Sequence, residues 1–226
     1  MPRIFSRIWR LALALVISAA IVLVALLTLW RVAPPVSTLM LARYVTGRPV
    51  VRDYVPLAQI SSNLIAAVVM SEDAKFCRHG GVDWQALSDV LEDADEDGPS
   101  RGASTITMQL VKNLFLWPSR STIRKGLEIP LAMTLDLVWP KSRIMEVYLN
   151  VAEWGPNGIF GAEASAQENF GKSAAALTPV QAALMAAALP NPILRRPAKP
   201  TAVQARRARR ISARTGDAAQ WLDCLK

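Results

Sequence analysis

The chain of 226 residues is 52% hydrophobic and 19% charged. That is too apolar for a disordered protein, and a single long apolar run excludes a polytopic membrane protein. Its formal net charge of +8 is concentrated late, where Arg195, Arg196, Lys199, Arg206, Arg207, Arg209, Arg210 and Arg214 have no acid among them.

In chain order, residues 1–10 carry Arg3, Arg7 and Arg10 and lead into an uncharged run from Leu11 to Trp30. As a helix rising about 1.5 Å per residue, this run is roughly 30 Å long and matches the hydrocarbon core of a bilayer. A cleaved signal has a shorter apolar core of about 7–15 residues and a small-residue cleavage site. Here Arg31 follows directly, so a retained anchor over 11–30 is expected. Arg31, Arg43 and Arg48 balance the arginines ahead of it, and the positive-inside count leaves orientation open.

Pro34 and Pro35 begin a stretch with Gly47, Pro49 and Pro56, expected as a juxtamembrane connector over 31–56 that resists regular helix. A domain is expected over 57–195. Ile60, Leu64 and Val68 recur at helical spacing, sustained alternating runs are hard to find, and the fold is expected to be mainly α. Ser104 is the expected cap of a helix with Ile106, Leu110 and Leu114 on one stripe and Thr105, Gln109 and Lys112 on another. A further helix should turn Ile144, Tyr148 and Val151 inward. Thr178-Pro179-Val180-Gln181 carries an N-cap, a proline at the first helical position and a glutamine three residues in, and Pro190 and Pro192 end that helix. Residues 196–226 are expected to form a basic tail, with anionic lipid headgroups as its cheaper partner than nucleic acid. Cys77 and Cys224 lie far apart, neither in a metal-spaced pair, and a disulfide between them is allowed by the sequence without being supported by it.

Three groups of residues bear on chemistry. Glu72 and Asp73 end an apolar helix, where carboxylates oppose the macrodipole. At the lip of an apolar surface such a group can act as a general base with raised proton affinity, against the plainer reading of a solvated helix end. Lys112, Arg120, Arg124 and Lys125 can converge on a pyrophosphate, or form a solvated face in which Arg124 and Glu128 are an ordinary i,i+4 pair. Asp93-Ala-Asp-Glu-Asp-Gly98 imitates the start of a calcium loop, but its twelfth position is Ser104, and a solvated loop is expected. His79 is the only histidine and is expected to make structural hydrogen bonds.

Taken together, Glu72-Asp-x-x-Phe-x-x-His-x-Gly81, Gly102-x-Ser-Thr-Ile-Thr-x-Gln-x-x-Lys-Asn113, Arg124-Lys-x-x-Glu128 and Lys141-x-x-Ile-Met-Glu-x-Tyr-Leu-Asn150 resemble the signature blocks of the peptidoglycan glycosyltransferases. Glu153-Trp-Gly-Pro-Asn-Gly-Ile-Phe-Gly161 looks like a fifth, so the resemblance spans about 50–195. The length after it leaves no room for a transpeptidase domain, so the chain is similar to the monofunctional members. The resemblance implies a lysozyme-like helical fold on one transmembrane helix, with the N-terminus cytoplasmic and the domain periplasmic at the bacterial inner membrane. It implies polymerisation of lipid II into β-1,4-linked glycan with release of undecaprenyl diphosphate.

By the matched motifs, Glu72 resembles the general base, Glu128 the second, electrostatic or orienting acid, and Lys112 and Arg120 the groups that neutralise the departing diphosphate. Asp73, Ser104, Thr105, Gln109, Arg124 and Lys125 complete the expected substrate-binding set. Met108 departs from the family pattern, standing where a second glutamine often precedes Gln109. No cofactor is called for, although a divalent cation such as Mg2+ has a place at the diphosphate. Expected partners are lipid II, the growing lipid-linked glycan, the membrane and other cell-wall synthesis proteins. The closest rival is a membrane-anchored hydrolase of lysozyme-like fold using Glu72 and Glu128 as its carboxyl pair, but a hydrolase has no diphosphate for the basic cluster to stabilise. A scaffold protein would leave both constellations without a purpose.

Overall fold

The computed structural model describes residues 2–92, 102–118, 121–216 and 218–225. The calcium-like run 93–98 and Arg120 lie outside the described residues. The chain divides into two units, Met1–Pro34 and the remainder from Pro35.

In the first unit, helix α1 (Pro2–Trp30) contains a candidate membrane span over Ser6–Trp30. Leu15 and Val16, about 70% exposed, show the character of this surface, which is costly in water and at ease in lipid.

The second unit begins earlier than the sequence suggests. Ser37 caps α2 (Thr38–Val45) by accepting the Met40 N–H, and Met40 is fully buried. Thr38 donates to the carbonyls of Leu116 (2.7 Å) and Asn113 (3.2 Å), and Arg43 pairs with Glu153 at 3.1 Å. The expected 31–56 connector is therefore part of the compact unit from Pro35 onward. Its prolines mark turns around a short capped helix and a strand, β1 (Val51–Arg52).

The core is helical. It is formed by α3 (Ser62–Glu72), α5 (Ile106–Phe115), α6 (Thr122–Val138), α7 (Lys141–Val151), α9 (Pro179–Ala188) and α10 (Ala202–Thr215), with α4 (Trp84–Glu92) and α8 (Ala162–Phe170) beside them. Helix α3 packs on α9, and α5 packs on α6 and α7. Leu64, Val68, Ile106, Leu110, Ile144 and Leu135 are all fully buried. Each contributes about 1.5–3 kcal/mol of apolar burial. Thr178 and Gln181 close the capping box at the start of α9. The cap of α5 is Thr105, one residue later than expected, because its hydroxyl rather than that of Ser104 accepts the Met108 N–H.

Beside the helices, β2 (Glu153–Gly155), β3 (Ile159–Phe160) and β1 form a small sheet in the order β1-β3-β2. β1 is parallel to β3 in the register Val51↔Ile159, and β2 is antiparallel to it. These strands are too short for a periodic sequence signal. Gly158, at φ +79°, makes the turn between β2 and β3; a Cβ there would lie 2.1 Å from the Pro49 carbonyl oxygen.

The expected basic tail is also folded. Thr201 caps α10, which lays Gln204, Ala208 and Ile211 against α9 and α3. After α10, Ala218, Trp221 and Leu222 pack on Ala66, Met70 and Ala74. A disulfide joins Cys77 to Cys224 across 147 positions, with Cα atoms 5.5 Å apart. The bond is invisible in the sequence because it depends on the terminal segment folding back beside the turn that follows α3. Cys224→Ser is expected to lower stability by about 2–4 kcal/mol through the freed unfolded chain. Chemical denaturation of variant and wild type under oxidising conditions checks this, and equal midpoints would show that the packing alone holds the segment.

Candidate active site

Glu72 is the last residue of α3 and Asp73 its C-cap, and the two neighbouring carboxylates point into different surroundings. Asp73 is 8% exposed and committed internally. It accepts the Ile106 backbone N–H at 3.0 Å and contacts His79 Nε2 at 3.0 and 3.1 Å. It thereby ties the end of α3 to the start of α5 while bordering the smaller of the two cavities described below. Thr105 adds to the same tie by donating to the Gly81 carbonyl at 2.6 Å. Gly81 has φ +88°, and a Cβ on it would meet the Ala132 carbonyl oxygen at 2.5 Å, so this close approach requires glycine. His79 makes the structural contacts expected of it, its carbonyl accepting from Lys141 Nζ at 2.7 Å.

The Glu72 carboxylate faces functional groups from three other parts of the fold. Gln109 Nε2 of α5 donates to its Oε2 at 3.2 Å, Arg207 Nη2 of α10 lies 3.8 Å from its Oε1, and Arg195 acts on it from the segment after α9. Its own neighbour Ser71 donates to Oε1 at 3.4 Å. Its side chain is 10% exposed. Burial raises its proton affinity above the usual carboxylate value, and Gln109, Arg207, Ser71 and Arg195 pull back only part of that rise.

Glu72 and Gln109, joined by their hydrogen bond, border different cavities. One, of about 230 Å3, is lined by Glu72, Asp73, Asp83, Ser104 and Thr105. The other, of about 650 Å3, is lined by Gln109, Lys112, Asn113, Arg124, Tyr148, Glu153 and the prolines after α9. Lys112 and Arg124 thus share the larger cavity. Burial holds the Lys112 ammonium below its ordinary proton affinity, Arg124 pushes the same way, and Glu72 opposes them. Arg124 is fixed by an ion pair with Glu128 one helical turn on, and Glu128 is 3% exposed, so this is a buried pair rather than a surface one. Glu128 does not line the cavity; it braces Arg124. Lys125, next to Arg124 on α6, is exposed and turned away, as adjacent helical residues must be. Met108 is buried at 1%, so this departure from the family pattern faces the core.

Sequence reasoning missed Arg195, Arg207 and the Tyr148 hydroxyl as neighbours of this site. Arg207 was hidden by the arginine run around it. The stripe Gln204, Ala208, Ile211 is the signal that orients α10 and leaves Arg207 at the edge of its packed face. Among the described residues, no group of three or more His, Cys, Asp or Glu is placed to hold a metal ion. Glu128 is engaged by Arg124, and Glu153, on the wall of the larger cavity, by Arg43. The side chains alone do not fit a divalent cation, and no step below passes through one.

A carboxylate with raised proton affinity bonded to Gln109, and a cationic cavity that Gln109 lines, match a proton-accepting group near a place for an anionic leaving group. The family model described as Transglycosylase matches residues 39–215. The chain belongs to the transglycosylase family. The match takes in all but the first residue of α2 and the whole of α10, in agreement with their packing in the compact unit. A protein of Brucella suis biovar 1 is 52% identical over 217 residues, covering 95% of this chain and 96% of its own length. One of Nitrobacter hamburgensis is 56% identical over 172 residues, covering 76% of each, and one of Agrobacterium fabrum 53% identical over 191 residues, covering 84% of each. All three are named biosynthetic peptidoglycan transglycosylase. As a member of this family the chain is a glycosyl-transferring enzyme with a lysozyme-like helical domain, and α1 is its candidate membrane anchor.

Proposed function

We propose that this chain polymerises lipid II into β-1,4-linked glycan strands and releases undecaprenyl diphosphate, with Glu72 as general base. The observation that carries the reading is the placement of the buried Glu72 carboxylate against Gln109, with Lys112 and Arg124 beyond it in the larger cavity. The acceptor's 4-hydroxyl oxygen attacks C1 of the donor muramyl sugar while its proton passes to Glu72. The C1–O bond to the diphosphate breaks, and its electron pair leaves with the diphosphate towards Lys112 and Arg124. Attack from the opposite side inverts C1. Glu128 keeps Arg124 in place, Arg120 is assigned to the same cationic set by its motif alone, and Ser104 and Thr105 border the acceptor side. A hydrolase of this fold would need a second carboxyl group free to reach the glycosidic bond, and Arg124 occupies that of Glu128.

The test is incubation of the purified full chain in detergent with labelled lipid II. Polymer and lipid diphosphate should appear together; soluble sugar released without polymer would replace this reading with hydrolysis.

The domain is assigned to the periplasmic face of the bacterial inner membrane, with residues 1–10 cytoplasmic and α1 as a single-pass anchor. The Cys77–Cys224 bond supports this side, because disulfides persist in oxidising compartments such as the periplasm. Removing residues 1–30 should leave a chain that works in detergent but slowly on substrate in bilayers, since the anchor supplies effective concentration at the membrane. Rates in micelles and in liposomes check this, and equal loss in both would make the helix part of the catalytic unit. Other cell-wall synthesis proteins remain partners by family resemblance alone.

A further inference from the structure

Tyr148 lies on α7 with its side chain 1% exposed, and its hydroxyl donates to Gln109 Oε1 at 2.9 Å. The other end of the same amide, Nε2, donates to Glu72 Oε2 at 3.2 Å. An amide has one accepting and one donating end, so turning it over would aim its oxygen at the carboxylate. Two acceptors then face each other, an arrangement relieved only when Glu72 holds a proton. Gln109 is the hydrogen-bond partner described for the Tyr148 hydroxyl. With the amide reversed, the phenolic proton would be left in a buried site without that acceptor, at a cost typical of an unsatisfied buried donor.

We propose that Tyr148 acts through Gln109 as the positioning residue that keeps the Glu72 carboxylate aimed and ready to accept a proton. The inference rests on Glu72 being the base. Tyr148 suits this task because burial, with Glu72 and Asp73 nearby, holds its hydroxyl far above the ordinary phenol value, so it stays a neutral donor over the working range. The charged and titratable groups facing Glu72 are Lys112 from α5, Arg207 from α10, Arg195 from the segment after α9, and the buried phenol of Tyr148 from α7. The cations favour the carboxylate through space and do not depend on the amide. The phenol is the group that selects the amide's orientation.

The test compares the full chain with Tyr148→Phe in detergent, following the Glu72 carboxyl carbon by carbon-13 NMR across pH, with Glu72→Gln to identify its signal. Polymerisation rates are measured over the same range. The Glu72 midpoint should rise by about one pH unit in Tyr148→Phe, the size of one hydrogen bond to a charged group. The acidic limb of the rate profile should move with it, a tenfold fall in rate at a pH on that limb and a smaller fall on the plateau. Gln109→Met should shift the midpoint upward as well, and adding Tyr148→Phe to it should shift it no further. That pair keeps the question open to refutation if Tyr148→Phe alone does not fold. An unmoved Glu72 midpoint in Tyr148→Phe, or additive shifts in the double variant, would overturn the relay. A midpoint that moves while the rate profile stays fixed would uphold the relay and remove Glu72 from the base role.

Discussion

Replacing Glu72 with glutamine is expected to cut turnover by about 10²–10⁴, the usual contribution of a positioned general base, while raising thermal stability at neutral pH. Glutamine keeps the size of the side chain, and its one oxygen can accept from Gln109 while its NH2 turns to the Ser71 hydroxyl, so the site keeps its shape but loses its proton acceptor. The stability gain follows from linkage. Burial raises the proton affinity of Glu72 in the folded chain above its unfolded value. The folded state therefore binds more protons, and the stability tied to the protonated form is fully present below the unfolded value. It is lost as pH rises through the folded value, so at neutral pH the ionised group is a cost that glutamine removes. The unfolding midpoint of the variant should exceed that of the wild type at neutral pH, and the difference should shrink towards acid pH. Measuring lipid II polymerisation beside the midpoint decides the matter: a correctly folded variant with full turnover removes Glu72 from the role, and a less stable one contradicts its burial as a cost. The same titration predicts an acidic limb in the rate profile displaced above the ordinary carboxylate range.

The helices of this fold and the acidic turn of its site were legible because each is written in local patterns. The Ile106, Leu110, Leu114 stripe and the Thr178–Gln181 capping box need only four to seven neighbouring residues to be read, and both are present. What was not legible depends on the chain returning to itself. The charge of α10 reads as a basic tail for anionic lipid headgroups, although Ala208 and Ile211 are buried and Arg207 lies 3.8 Å from Glu72. The prolines around α2 read as a linker, although Met40 is fully buried and Arg43 pairs with Glu153 across more than a hundred positions. Asp73 and Glu72 stand side by side in the sequence, and only the packing of α5 distinguishes the structural carboxylate from the available one. The Arg124–Glu128 spacing alone fits a surface pair equally well. Burial of Glu128 turns it into a brace whose loss would leave an uncompensated charge inside the protein.

Lys112→Ala should lower the polymerisation rate by about 30- to 900-fold with little change in stability, because the charge it supplies is needed only when the diphosphate departs. Loss of one preorganised donor at a developing anion costs about 2–4 kcal/mol of barrier, and 1.36 kcal/mol is tenfold in rate. In the resting protein the same ammonium is a burden. Burial and the nearby Arg124 lower its proton affinity, with Glu72 offsetting part of that. The folded chain thus binds this proton less well than the unfolded one, and stability improves as pH rises towards the ordinary lysine range. Removing the charge deletes that burden and also the packing of the aliphatic stem, two opposing effects that leave the midpoint close to wild type. Lys112→Met, which keeps the stem, should be at least as stable as the wild type and as slow as the alanine variant. A solvated basic face predicts something else: a stability change of about 0.5 kcal/mol or less and an intact rate in both variants. Steady-state rates on labelled lipid II with thermal midpoints for both substitutions separate the two, and an unchanged rate in folded Lys112→Ala would end the assignment of this cavity to the diphosphate.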